Sequence, residues 1–457
     1  MTMLFAEAAR LPEGWATNVL VRINEDGRIR SVESNAAPAP DAERVPLLLA
    51  APANLHSHAF QRAMAGLTER RGPTGRDSFW TWRELMYRFL DVLAPEDVEA
   101  IAQLVYMEML EAGYASVAEF HYLHHRPGGE PYASLPEMAA RIAAASSDTG
   151  IGLTLLPVHY ARGGVDGSPL HGGQQRFGND LDRFVRLYEA SEDIIAAMGC
   201  DAGIGIAPHS LRAVSPEDLR RLAALRPGLP LHMHIAEQVK EVEDVAAAFG
   251  APPVDWLFDH VSVDGRWCLI HATHMTARET ARLAASGAVA GLCPFTEASL
   301  GDGIFNGADY AAAGGAFGVG SDSNILVTLS GELRQLEYAQ RLRDRARVVL
   351  ADQRSAGTFI FDNALSGGAQ ALGRASGAIA PGLWADLLAL DMDHPSLTGL
   401  AGDTAVDAFV FATGEGAVRD VWSAGRHMVR QGRHVARGRI VSRYRECMAS
   451  IRDRLDA

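Results

Sequence analysis

His56-Ser57-His58 follows shortly after the apolar run Leu47-Leu48-Leu49. Alternate residues of a strand project to one face, so two imidazoles spaced this way at a strand end converge on one point and suit a divalent ion. Three later segments, each following or ending an apolar run, add donors: His234 with Glu237, His271, and Asp322 within Gly320-Ser321-Asp322-Ser323. His56, His58, His234 and Asp322 supply three neutral imidazoles and a carboxylate. That set leaves a coordination position open for water, the arrangement of a catalytic site, and bound water ionises near neutrality instead of at about 15.7. The pattern reads as a mononuclear metallohydrolase.

Glu237 stands three residues after His234, where the chain leaves its strand, and a carboxyl there can move protons between nucleophile and leaving nitrogen. Asp322 can share that work, one oxygen on the metal and the other toward the water. His271 is either a ligand or a donor that stabilises developing negative charge, and the second role is the one expected. Two-metal sites that resemble this one usually bridge their ions with a carboxylated lysine at the end of the fourth run; here that run ends in His209, and the only lysine is Lys240. One ion is therefore expected, zinc or iron(II) by its donors. His232 shares a strand face with His234 and is its rival as a ligand, the spacing to Glu237 favouring His234. His121, His124, His125, His159, His171 and His274 fit ordinary structural roles.

Donors so far apart in sequence need a scaffold that gathers strand ends. Apolar runs at 47–58, 115–122, 151–160, 203–209, 229–235, 267–272, 288–293 and 315–320 alternate with helical stretches. Eight such runs predict an α/β fold, a distorted (β/α)8 barrel whose C-terminal strand ends share one cavity. Pro95 opens a helix, Ser215-Pro216 caps another, and Thr276-x-x-Glu279 is a capping box. Residues 17–34 alternate around Asp26-Gly27, a hairpin signal, and 377–391, 408–414 and 420–435 read as further short strands. The expected organisation is a small β-sandwich from residues 1–46 and 377–457, the latter ending in a helix, beside a barrel spanning 47–376.

The formal net charge of −14 disfavours a nucleic-acid partner. Four scattered cysteines with no C-x-x-C point to a reducing compartment, and neither a signal peptide nor a membrane span is legible, so the cytoplasm is expected. The cytidine-deaminase pattern, H-x-E with a later P-C-x-x-C, is missing.

The half-sandwich, His56-x-His58, His234-x-x-Glu237, His271, Asp322 and Gly377-Ala-Ile-x-Pro-Gly-x-x-Ala385-Asp386-Leu together resemble the mononuclear aminohydrolases of the amidohydrolase superfamily. Ala51-Pro52-Ala53 departs from the Pro-Gly many members carry before H-x-H, which touches backbone geometry only. The run from His56 to Glu69 (HSHAFQRAMAGLTE) is similar to the formimidoylglutamate deiminase family. That resemblance implies a zinc-dependent homodimer that hydrolyses N-formimino-L-glutamate to N-formyl-L-glutamate and ammonia in histidine degradation. It implies water activated at the metal, proton delivery by Glu237 to the nitrogen that stays, stabilisation by His271, and a proton carried by Asp322 to the departing amine. A dicarboxylate substrate needs two fixed cations. Arg212 and Arg83 are the expected pair, with Arg70 and Arg71 as alternatives to Arg83, while Gln61, Tyr122 and His209 add hydrogen bonds. Two other readings stay open: deamination of a purine, pterin or thioadenosine, which predicts stacking aromatics without paired arginines, and a non-catalytic scaffold, which would be expected to lose ligands.

Overall fold

Alternation of apolar and polar side chains near the N-terminus produces β1 (Thr2–Leu11), β2 (Gly14–Ile23) and β3 (Ile29–Glu33), followed by β4 (Glu43–Ala50), in a computed structural model that describes residues 2–69, 78–414 and 416–456. Asp26-Gly27 turns between β2 and β3 as the hairpin signal predicts. Gly27 adopts φ +88°, and a Cβ there would lie 2.1 Å from the Ala424 carbonyl oxygen, so only glycine fits against the C-terminal segment. Parallel strands follow: β5 (Ala53–Ser57), β6 (Ser116–His121), β7 (Gly152–His159), β8 (Gly203–Ile204), β9 (Ala207–Pro208), β10 (Leu231–Ile235), β11 (Trp267–His271), β12 (Val289–Leu292) and β13 (Ala316–Val319). The chain closes with β14 (Leu387–Leu390), β15 (Val418–Ser423), β16 (Arg426–Arg430), β17 (Arg433–His434) and a helix over Arg437–Asp456.

The terminal segments meet in one eight-stranded sheet, ordered β17-β16-β15-β14-β4-β1-β2-β3, in which β4 runs parallel to β1 and antiparallel to β14. The apolar run at 47–58 is thus two strands. Leu47–Ala50 pair with β1 and β14, and only after Ala51-Pro52 does the chain enter the parallel set. Residues 408–414 are not a strand, contrary to the sequence expectation. Residues 408–411 complete a helix, Asp403–Phe411, and 412–414 follow its end; its buried Val406, Phe409 and Val410 keep helical spacing and pack toward helix Ala356–Leu372. A short run of β-branched and aromatic residues fits either period, and tertiary packing decides.

The parallel strands form two arcs, β5-β6-β7-β8 with β9 on β7, and β10-β11-β12-β13. Isolated parallel bridges join the arcs at both seams, Ile206 with Leu231 and Ser57 with Asp322. At the second seam His58 N–H donates to Asp322 O and Asp322 N–H to His56 O, both at 2.9 Å. Gly320 makes that approach possible, because a Cβ there would stand 2.7–2.8 Å from His56 backbone and Cβ atoms. Helices between the strands carry the predicted caps. Pro95 opens Pro95–Ala112, the Ser215 hydroxyl accepts from Asp218 N–H at 2.9 Å, and Thr276 and Glu279 bond reciprocally. A cap of this kind contributes about 1 kcal/mol, enough to fix where a helix starts beside a strand exit.

Candidate metal centre and active site

Because β5, β10, β11 and the segment after β13 end on one side of the two arcs, the donors predicted at 56, 58, 234, 271 and 322 meet there. His56, His58 and His234 offer ring nitrogens within 4.8 Å of one another, all buried. His56 Nε2 lies 3.0 Å from His234 Nε2 and 3.6 Å from Asp322 Oδ1, and His58 Nε2 lies 3.3 Å from the same oxygen. Donors about 2.0–2.1 Å from a shared tetrahedral ion stand roughly 3.3 Å apart, which these three separations approach, while the donors that all lie within 4.8 Å of one another are the three histidines. The tautomers agree. His58 Nδ1–H donates to Phe120 O at 3.0 Å and His234 Nδ1–H to His209 O at 3.2 Å, which leaves both Nε2 lone pairs turned inward.

Electrostatics point the same way. Burial, reinforced for His56 and His234 by neighbouring imidazoles, pushes their pKa values well below the usual histidine range, and it lowers His58 to about 3 against the opposing Phe120 hydrogen bond. Neutral imidazoles are metal donors. Asp322 is raised to about 7 by burial, with His271 opposing and Glu237 and Glu297 adding to it. A cation between these groups reverses that penalty, since positive charge beside a buried carboxylate favours its ionised form. Strain is concentrated here too: His271 and Asp322, neither a glycine, adopt φ of 69° and 47°.

His232, the rival ligand, is two residues back on the same strand face and donates from Nε2 to Ala371 O at 2.7 Å. It is occupied away from the centre. His124 and His125 are likewise bonded elsewhere, to Val158 O and Asn179 Oδ1.

Glu237 Oε2 accepts from Arg212 Nη2 at 3.0 Å while its other oxygen lies 3.8 Å from His271 Nε2. His271 Nε2 is 3.7 Å from Asp322 Oδ2, and Nδ1 is 3.3 Å from Glu297 Oε1. Burial opposes a charge on His271, but Glu237, the Glu297 hydrogen bond and Asp322 outweigh it and raise its pKa to about 10. A cavity of about 540 Å³ opens from these groups and includes Gln61, Arg83, Tyr122, His209 and Arg212 in its walls. Gln61 Nε2 donates to Tyr122 Oη at 2.7 Å, and the His209 ring packs on Tyr160. Arg83 stacks over Trp80, 4.6 Å from the ring centroid, and among the described residues forms no ion pair. Arg70 and Arg71 lie outside the described residues.

Several buried polar groups escaped the sequence reading. Glu119 Oε1 accepts from Ala59 N–H at 2.7 Å, and fixes the turn just after His58. Asn54 donates to Ser321 Oγ at 2.6 Å and accepts from Ser321 N–H at 3.1 Å, tying the segment that carries Asp322 to β5. Glu297 buttresses His271, and Glu241 accepts from Glu237 N–H at 3.0 Å. The first two stand on strands and the last two on helices, with no motif spacing to single them out.

Paired strand-end imidazoles, an aspartate after the last parallel strand and a glutamate beside them form a candidate metal site, and the chain belongs to the amidohydrolase family, which residues 47–428 match. Residues 1–45 match the formimidoylglutamate deiminase HutF N-terminal domain. The chain is 49% identical over 457 residues to a formimidoylglutamate deiminase of Pseudomonas aeruginosa, covering 99% of this chain and 100% of that one. It is similar to the crystal structure of an amidohydrolase from Brucella melitensis, with a TM-score of 0.95 and 50% identity over 99% of this chain and 100% of that one. The same fold recurs at 21% identity and a TM-score of 0.82 in a zinc-bound adenosine deaminase from Xanthomonas campestris, covering 99% and 98% of the two chains.

Proposed function

We propose that this hydrolase converts N-formimino-L-glutamate to N-formyl-L-glutamate and ammonia, a step of histidine degradation. The observation that carries the reading is one cavity in which Arg83 and Arg212 share walls with His58, His234, His271, Glu237 and Asp322. Two guanidiniums suit a substrate with two carboxylates, and the full-length relative with 49% identity is a formimidoylglutamate deiminase. Phe79, Trp82, Tyr87, Tyr160 and Phe177 also line the cavity, which deamination of a purine would equally use; the paired arginines are what that rival lacks.

His56, His58, His234 and Asp322 would hold one divalent ion per subunit, zinc by the precedent of the Xanthomonas protein, with iron(II) acceptable to the same donors. When bound, the ion supplies a nucleophile at neutral pH by lowering the pKa of a water from about 15.7 toward about 7. Arg212 and Arg83 grip the carboxylates and Gln61, Tyr122 and His209 orient the amino-acid portion, so binding energy remote from the reacting carbon is used for alignment. In the tautomer with the double bond to the substituted nitrogen, Glu237 takes one proton of the water and delivers it to that nitrogen as the oxygen adds to the formimino carbon. His271 stabilises the tetrahedral adduct. Asp322 takes the second proton, from the oxygen of the adduct, and passes it to the terminal amino group, the carbon–nitrogen bond breaks as the carbonyl forms, and ammonia leaves an N-formyl product. The same reading makes the enzyme a cytoplasmic homodimer. Ammonia release should be measured on N-formimino-L-glutamate and on purine substrates, with metal content determined in the same sample. Turnover of the formimino compound alone supports the assignment; a metal-replete enzyme that acts only on a purine overturns it.

A further inference from the structure

Arg212 is held by two carboxylates at once. Its side chain is 11% exposed, and besides the hydrogen bond to Glu237 its Nε faces Glu241 Oε1 at 3.6 Å. Glu241, in the first turn of helix Val239–Phe249, is fully buried, and its other oxygen accepts from Glu237 N–H. Arg212 Nε and Glu241 Oε1 have no hydrogen-bond partner, so an ion pair is all that joins them. A carboxylate is costly to bury, and a packing role or a backbone acceptor could be filled by an amide. The negative charge at 241 therefore needs an explanation that the proposed roles of Glu237 and Arg212 do not supply.

We infer that Glu241 is the positioning residue of the carboxylate clamp, holding Arg212 in place while Glu237 gives up its bond to the guanidinium in favour of a substrate carboxylate. This rests on the proposed function. Three carboxylates around one guanidinium leave two negative charges unbalanced, so one partner must yield. Glu241 is the partner that stays, tied by one oxygen to the backbone of residue 237. The Glu237 carboxylate is free to leave, because Arg212 is its side-chain hydrogen-bond partner and its second oxygen already points toward His271. Filling the clamp thus turns Glu237 toward the reacting carbon. Substrates that lack the carboxylate leave Glu237 bound to Arg212, so discrimination enters through turnover as well as through binding.

The test compares the metal-loaded wild type, Glu241→Gln and Arg212→Met on N-formimino-L-glutamate and on two analogues, N-formimino-4-aminobutanoate and N-formimino-2-aminobutanoate, each lacking one carboxylate. Arg212→Met identifies the clamped carboxylate as the one whose removal from the substrate abolishes the rise in KM that the mutation causes. Glu241→Gln keeps an acceptor for Glu237 N–H and removes the charge. KM for the natural substrate should rise about tenfold or more, as expected for weakening a charge-assisted contact, with kcat changed by less than about threefold. On the analogue without the clamped carboxylate the same variant should match the wild type. Equal losses on all three substrates would indicate a purely structural role and overturn the inference, as would unchanged kinetics. If Glu241→Gln does not fold, Glu241→Asp, which retracts the charge by one methylene, should show a smaller loss with the same substrate dependence, and a uniform loss overturns the inference there. If Arg212→Met itself keeps the dicarboxylate preference, the clamp in the proposed function is what fails.

Discussion

Glu237→Gln separates chemistry from binding more sharply than any other single change. The substitution keeps the volume and an acceptor toward Arg212 but removes the ionisable proton. Deleting one half of a buried ion pair ordinarily costs about 3–5 kcal/mol, because the survivor is left uncompensated. Here Glu241 remains 3.6 Å from the same guanidinium, so Arg212 keeps a countercharge. The stability loss should stay near that of an ordinary hydrogen bond, about 1 kcal/mol, and KM should move by about threefold or less. General acid–base transfer contributes about 10²–10⁴ in rate, which at 1.36 kcal/mol per decade is about 2.7–5.4 kcal/mol of barrier. Turnover should therefore collapse in a protein that folds, binds substrate and retains its metal. Steady-state ammonia release, metal analysis and a thermal melt on one preparation give all the quantities. A kcat within about threefold of wild type, or a loss confined to KM, would remove Glu237 from the proton pathway.

His58→Ala deletes a ligand outright, so metal affinity should fall by more than the roughly 10–100-fold that loss of an outer hydrogen-bond partner costs, read by competition with a chelator; stoichiometric, tightly held metal in the variant would exclude His58 from the site. Gly320→Ala forces a methyl into the His56 backbone, which should cost about 1–3 kcal/mol and lower metal content together, and an unaltered melt would show that the seam is looser than its contacts imply. In metal-free protein, His271 titrates at about 10 in the fold against about 6.5 in the unfolded chain, so the folded state holds its proton to higher pH. The stability it contributes is complete below pH 6.5 and lost as pH rises through 10. Melting temperature of the chelated protein should decline across that window and His271→Gln should flatten the decline; parallel curves would assign the pH dependence to other groups.

The eight strand positions and the histidine cluster at their ends were legible because their signals are local: an apolar run, then an imidazole at its end. What stayed hidden depended on partners far away in sequence. Leu47–Ala50 and Ala53–Ser57 read as one continuous run in the sequence, and only pairing with β14, more than three hundred positions on, draws the first group out of the parallel set. Residues 403–411 carry the composition of a strand but the spacing of a helix, and the helix wins by burying Phe409 and Val410. Glu241 sits in Val-Lys-Glu-Val-Glu-Asp, where the neighbouring charges read as a solvated helix face; its burial follows from Arg212 arriving from another loop. Glu297 passes for an ordinary acidic residue in a first helical turn, and nothing near it in sequence announces His271.

The Asn54 to Ser321 hydrogen bond, 267 residues apart in the chain, has a consequence for assembly. His58 and Asp322 flank the seam where the first and last parallel strands touch, so an ion held there would work as a clasp that could shut only after everything between has been put in order. Such long-range closure is slow relative to local helix and hairpin formation. A nascent chain still lacking its segment beyond residue 320 would hold three imidazoles without their carboxylate, and tight metal uptake would then report that the ring of strands has been completed.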